Sequence, residues 1–362
     1  MNTAKELAAL VEFDGTQSAL SVYLDTDLSD KSKDDVKLML RQQLKTLEQQ
    51  QLRQCDVDRL SRYLDYEYDW QPRGLAVFAS GDDLWQTIPL PISVPTRAFC
   101  SDKPIIRTLV DVLDRFGRYI VALVDREALR LFLVEVGQIT PVSEVVGEEL
   151  KHHRQGGWAA ARYQRHEDHL ALHNLKQAIE VIGTYMADHD CSRWILAGSD
   201  EVVAQVKALL PAVLRRELIG EFAVNMAARA TEVLERSLDI ALHADTEEER
   251  HLVNEAITAA NKGEAGVIGL ADCLYSLQEG RVHLLLVDEE YSTSGIMCAQ
   301  CEYIAPSLSG ACPFCGGTEF RKVADAVDRA IHKAIKTGAG VNVVRENKTL
   351  REAGGIAALL RY

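Results

Sequence analysis

No apolar run in this chain approaches the length of a membrane span. The N-terminus, "MNTAKELAALVEFDG", lacks the apolar core of a secretion signal and has charges where that core would stand. The expected location is therefore the cytoplasm. Positive charge is also short: 40 Lys and Arg stand against 54 Asp and Glu, for a formal net charge of -14. That balance argues against non-specific coating of nucleic acid, yet it permits a local basic site on an acidic body. Internal repeats, low-complexity tracts and long linkers are missing too, which excludes a repeat array.

What is present is ordinary globular material. The chain has 362 residues, 47% of them apolar and 26% charged, enough for a sizeable core and two or three domains. The first segment alternates strand-like and helix-like runs. "SALSVYLDT" reads as a strand, "KDDVKLMLRQQLKTLEQQ" and "DVDRLSRYLDYEY" as helices, and "RGLAVFAS" as a strand ended by Gly81. "LPISVPTRAFCSDKP" reads as extended chain leading into a helix around Ile105 to Arg115. From Arg118, "RYIVALVD", "ALRLFLVEV" and "QITPVSEVV" form a β-meander. A long helix, about Trp158 to Met186, comes next, then the strand "RWILAGS" and a helix stopped by Pro211. A third change falls near Asp245, where the charged helix "TEEERHLVNEAITAANKGE" begins. Beyond it are a helix closed by Gly280, the buried strand "VHLLLVDEE" and an amphipathic helix closing on Gly338. The reading is three α/β units with boundaries near Phe116 and Asp245.

Eight cysteines divide into two groups. Cys55, Cys100, Cys191 and Cys273 are scattered and read as buried free thiols. Cys298, Cys301, Cys312 and Cys315 make C-x2-C-x10-C-x2-C. Each pair can place two thiolates on one tight turn, and two turns complete a tetrahedral site with a closed shell, so the metal is expected to be structural. Gly316 and Gly317 suit a turn where backbone approaches sulfur. Zinc is favoured; iron is chemically possible on the same ligands, and two redox dithiols are the alternative.

The second concentration of chemistry is "KHHRQGGWAAARYQRH", Lys151 to His166. Lys151, His152, His153 and Arg154 lead into Gln155, Gly156, Gly157 and Trp158, just before a helix. A helix N-terminus behind two glycines is a ready site for phosphate or a developing oxyanion. Arg162, His166, His169, His173 and Lys176 recur at steps of four and three, which puts them on one helical face. Leu172, Leu175, Ile179, Ile182 and Met186 are expected on the apolar side. Three readings stay open: a solvated polar face, a histidine metal site at His166, His169 and His173, and an RNA-facing loop and helix.

These residues resemble the catalytic loop of the archaeal and eukaryotic class-1 peptide-chain release factors, a basic lead into Gly-Gly-Gln and an Ala-x-Arg-aromatic helix start. Gly156 and Gly157 match the glycines, Ala159 and Ala160 the small residues, and Arg162-Tyr163 the arginine-aromatic pair. "VALVDREALRLFLVEVGQI" and "RWILAGSDEVV" resemble the family's middle domain. "GVIGLADCLYSLQEGRVHLLLVDEE" and "GGIAALLRY" resemble the start and end of its third. The nearest likeness is to bacterial proteins on this plan, to which the Pelota-type rescue factors are related. The resemblance implies a mixed α/β (α+β) fold in three domains. These are a divergent decoding-type domain at 1–116, a middle domain at 117–245, and an L7Ae-like domain at 246–362 with a zinc ribbon at about 296–321. It further implies a monomer bound to the ribosome and ribosomal RNA near peptidyl-tRNA, with a translational GTPase as a further partner. Lys151, His152, His153, Arg154, Arg162, Arg165, His166 and His169 would contact RNA.

Two departures shape the functional expectation. Trp158 stands at the glutamine position, and tryptophan cannot act as an amide that orders water; Gln155 lies three residues early. The decoding tetrapeptide Asn-Ile-Lys-Ser is absent from "QLRQCDVDR", and no intact Tyr-x-Cys stands in "RAFCSDKP". The expectation is an A-site factor acting in rescue, hibernation or release without ordinary stop-codon reading. A codon-independent peptidyl-tRNA hydrolase, and a structured-RNA or tRNA-binding protein acting off the ribosome, are the alternatives.

Overall fold

The computed structural model describes residues 3–15, 17–47, 52–146, 160–189 and 191–362, with backbone alone described at 3–4, 143–146 and 160–168. Among the described residues the chain is mixed α/β with four sheets. Its first segment contains α1 (Thr3–Glu12), β1 (Ala19–Asp25), α2 (Lys33–Thr46), α3 (Gln54–Tyr66), β2 (Gly74–Ser80), β3 (Leu84–Leu90), β4 (Arg97–Ser101) and α4 (Arg107–Arg115). The strands make an antiparallel sheet in the order β3-β2-β1-β4, with Val22 opposite Val77 and Ala98. Helical spacing puts Leu40 and Leu44 of α2, and Leu60 and Leu64 of α3, against Leu20, Val22, Leu24 and Val77 on one face of this sheet. Ser32 starts α2 with a capping box shared with Asp35. Pro89 is tolerated because β3 is an edge strand.

The middle segment contains β5 (Tyr119–Val124), β6 (Ala128–Glu135), β7 (Gln138–Val146), α5 (Ala160–Asp188), β8 (Trp194–Gly198), α6 (Asp200–Leu209), α7 (Ala212–Glu217), β9 (Leu218–Ala223) and α8 (Ala230–Lys262). The expected meander is present as β5 to β7. The five-stranded sheet runs β7-β6-β5-β8-β9, with β5, β8 and β9 parallel. One face packs Ile120, Ala122 and Leu196 against Leu175, Ile179 and Ile182 of α5 and Val202 and Val206 of α6. The other packs Val121, Leu123 and Ile195 against Val233 and Ala241 of α8. Trp194 is fully buried, and its indole N–H finds the Leu214 carbonyl at 2.8 Å, the partner such a group needs away from water. The β6–β7 hairpin turns on Val136 and Gly137, both at positive φ (50° and 74°). That is the conformation of a tight two-residue turn, and it strains a β-branched residue.

α8 corrects one expectation. The charged run after Asp245 does not begin a helix; it lies inside one that starts at Ala230. The last segment contains β10 (Gly266–Ile268), α9 (Leu270–Gln278), β11 (Val282–Asp288), β12 (Gly295–Cys298), β13 (Ile304–Ala305), β14 (Phe320–Val323), α10 (Ala326–Lys336), β15 (Gly340–Val344), α11 (Lys348–Glu352) and β16 (Ile356–Leu360). One sheet runs β10-β16-β11-β15, and a small one runs β13-β12-β14. Gly280 and Gly338 close α9 and α10 at φ of 71° and 70°, as glycine does after a helix.

By packing, the chain falls into two units, 115–246 and the pair 1–114 with 247–362. In the second of these, polar side chains bind the first segment to the last. Asp328, 2% exposed, accepts from the backbone N–H groups of Ile106 and Arg107, each at 3.1 Å. Arg107 pairs with Asp325 at 2.9 Å, and His332 Nε2 lies 2.8 Å from the Pro104 carbonyl. Arg345 pairs with Asp111. Among the described residues, no helix is long and apolar enough to cross a membrane.

Candidate metal centre and the glycine-loop helix

The four clustered cysteines sit on two turns of the same construction. In the first, the Glu302 N–H donates to the Cys298 carbonyl (3.1 Å) and the Cys298 N–H to that of Tyr303 (2.9 Å). In the second, the Gly316 N–H donates to the Cys312 carbonyl (2.9 Å) and the Cys312 N–H to that of Gly317 (2.8 Å). The residue after each second cysteine is left-handed, Glu302 at 56° and Gly316 at 74°. Glycine takes that conformation freely, which accounts for Gly316. Gly317 answers a different need: a Cβ there would meet Gln300 Oε1 at 2.8 Å and Cys298 Sγ at 3.4 Å.

The two turns face each other. Cys298 Sγ lies 3.6 Å from Cys315 Sγ, Cys301 Sγ lies 3.5 Å from Cys312 Sγ, and all four sulfurs fall within 4.8 Å of one another. Tetrahedral coordination at about 2.3 Å per metal–sulfur bond needs sulfurs roughly 3.8 Å apart. The set fits a four-coordinate ion, with the shell closed to substrate. Backbone N–H groups of Cys301 and Gln300 bring the Cys298 thiol down to about 7, whereas burial pushes Cys301 up. A bound cation would override that difference, because it takes thiolates. Tyr303 and Phe314 shield the site and stack with Tyr275 of α9, with ring centroids 4.7 to 6.5 Å apart. The module is thus anchored on α9, where Gln278 also donates to the Cys301 carbonyl at 3.3 Å.

The other cysteines do not all follow expectation. Cys191 and Cys273 are buried and Cys100 half-buried, but Cys55 is exposed. It lies on the outer side of α3, where helical spacing and not hydrophobicity sets its environment.

The glycine loop itself, Lys151, His152, His153, Arg154, Gln155, Gly156, Gly157 and Trp158, lies outside the described residues. Arg162, Arg165 and His166 belong to α5, whose backbone alone is described there. Further along, His169, His173 and Lys176 are exposed together, as their spacing predicts. Leu172 is a correction: it is 40% exposed and lies outside the core. Asn174 is buried in that turn instead, donating to the Arg126 carbonyl at 3.0 Å. Sequence reasoning missed the buried polar side of α10. Its signal was present: Asp325, Asp328, Arg329 and His332 recur at helical spacing.

Residues 104–242 match the family model "Bacterial archaeo-eukaryotic release factor family 10". Comparison with curated protein sequences finds no match. Among solved structures, the chain is similar to an archaeal translation termination factor, aRF1, at 18% identity, covering 99% of this chain and 97% of that one, with a TM-score of 0.28. It is similar to Dom34 of S. cerevisiae, a translation termination-like factor, at 10% identity over 82% and 81% of the chains, with a TM-score of 0.42. The likeness to Pelota in a ribosome-bound archaeal assembly is 14% identical over 99% and 94%, with a TM-score of 0.44. Through the region 104–242, the chain is thus similar to the bacterial archaeo-eukaryotic release factors.

Proposed function

We propose that the chain is a ribosome-binding translation factor that enters the A site in rescue, hibernation or release, without ordinary stop-codon reading. The observation that carries this reading is the family match, because its span contains both the glycine loop and the first turns of α5. On this reading Lys151, Arg154, Arg162 and Arg165 contact ribosomal RNA phosphates, and His152, His153, His166 and His169 lie beside them. Trp158 stacks on a base or fills the cavity in which water would attack peptidyl-tRNA, so occupation outweighs hydrolysis.

The further parts of the reading are a monomer in the cytoplasm, division into 1–116, 117–245 and 246–362, and a translational GTPase as partner of the last. The cysteine site holds structural zinc, favoured by four thiolates in a closed tetrahedral arrangement. Ribosome co-sedimentation tests the central statement. Binding should be saturable, and Arg154→Ala with Arg162→Ala should weaken it and lower its salt dependence by roughly two phosphate contacts.

A further inference from the structure

A cavity of about 360 Å³ in the unit formed by 1–114 and 247–362 has an uneven charge distribution. It is lined by Lys103, Arg321 and Arg329, and by Asp14, Asp102 and Glu302. The signs are equal in number but not in depth. Lys103 and Arg329 have side chains 12% and 10% exposed, while their ion-pair partners Asp14 and Asp102 are 83% and 50% exposed. Glu302 is exposed as well. Positive charge therefore lies inside, and the negative charge that balances it lies toward water, where Asp14 is weakly held while Asp102 stays paired with Arg329.

The inner cations also have unused capacity. Arg329 Nε is buried with no hydrogen-bond partner among the described residues. The Lys103–Asp14 pair, at 3.6 Å, is too long for a hydrogen bond, and among the described residues no hydrogen bond takes up the ammonium donors. Burial, with Lys336 and Arg329 nearby, holds Lys103 below the ordinary lysine range. Arg321 is exposed on the cavity lining and has no ion pair among the described residues. An unpaired buried donor is costly unless something accepts from it.

We propose that this cavity binds a small anion of the phosphate class, held by Lys103, Arg329 and Arg321. A dianion offers several strong acceptors and more charge than any one exposed carboxylate, so it displaces Asp14 from Lys103 and lies against the Arg329 guanidinium. The volume lies at the lower end for small-molecule sites and admits a phosphate with a small organic group. Free phosphate groups and the backbone of a single-stranded RNA share this chemistry. The depth of the cations favours the free group, whose charge is not spread along a chain.

Calorimetric titration of the full chain with inorganic phosphate, against sodium chloride at matched ionic strength, tests this. The expected result is one saturable site per chain, weakened at least about tenfold by Lys103→Met and several-fold by Arg321→Ala, and tightened by Asp14→Asn. Arg321 and Asp14 are exposed, so those two variants decide the matter even where the buried substitution disturbs folding. Absence of saturable phosphate binding, or equal affinity in wild type, Arg321→Ala and Asp14→Asn, would overturn the proposal. A single-stranded oligonucleotide that binds through Lys103 while free phosphate does not would overturn it in favour of RNA.

Discussion

If the cysteine site holds a metal as proposed, removing it should unfold the module of 295–323 while leaving the other sheets in place. The hydrophobic cluster at its centre has four buried residues, Cys298, Tyr303, Ala305 and Cys312, and two of these are candidate ligands. Two thiolates 3.5 Å apart, as Cys301 and Cys312 are, repel by about 5 kcal/mol at an effective dielectric of ~20. Without a cation the sulfurs must take up protons, and the two turns lose what holds them face to face. Structural zinc supplies on the order of 10 kcal/mol in isolated modules, far more than so small a core provides. Tyr275 should then separate from Tyr303 and Phe314, since their stacking depends on the second turn. Hydrogen exchange with and without a strong chelator is the direct assay, with near-UV circular dichroism following the aromatic trio. Protection should vanish across 295–323 and persist in β5 and β11. The sign with pH is fixed by proton competition: acidification releases the metal, by up to about tenfold per unit for each thiol that must deprotonate to bind. Stoichiometric protein without bound metal, equally protected before and after chelation, would refute this reasoning. Metal analysis of the same sample separates zinc from iron.

Other outcomes follow from single positions. Val136→Asn should raise stability by about 1 kcal/mol, because asparagine tolerates positive φ in the β6–β7 turn and valine does not; an unchanged or lower melting temperature would contradict it. Asp328→Ala removes the acceptor for two buried N–H groups and should cost about 3 kcal/mol in denaturant unfolding; a loss under 1 kcal/mol would mean that the bonds to Ile106 and Arg107 hold nothing together. Peptide release from stalled ribosomes should be weak or absent with Trp158 in place. Strong release that Gly157→Val abolishes would show that hydrolysis survives without the glutamine.

The sequence made some of this architecture legible and hid the rest for physical reasons. Alternation and turn residues revealed β1, β2 and the meander, and helical periodicity revealed α2, α3 and α5, because those signals are local. The cysteine spacing predicted two facing turns, and the sulfurs do converge. The start of α8 was hidden by composition: the acidic run "TEEER" imitates a boundary, although no glycine or proline interrupts Ala230 to Lys262. β15 is short and pairs in parallel with β11 across a long stretch of chain, so nothing local announces it. The contacts of Asp328 and His332 join residues more than two hundred positions apart, and no periodicity reveals such partners. In α5, Leu172 and Asn174 exchange the places that hydrophobicity assigns them, because the Arg126 carbonyl offers Asn174 a buried partner.

The central claim is that the glycine loop and the start of α5 bring this chain onto the ribosome. Co-sedimentation with intact ribosomes, vacant or carrying peptidyl-tRNA, tests it most directly, with wild type beside Arg154→Ala, Arg162→Ala. The account predicts saturable binding by the wild type that is lost or strongly weakened in the double variant. Wild-type protein that stays in the supernatant with both kinds of ribosome, or a double variant that pellets as well as wild type across salt concentrations, would contradict it.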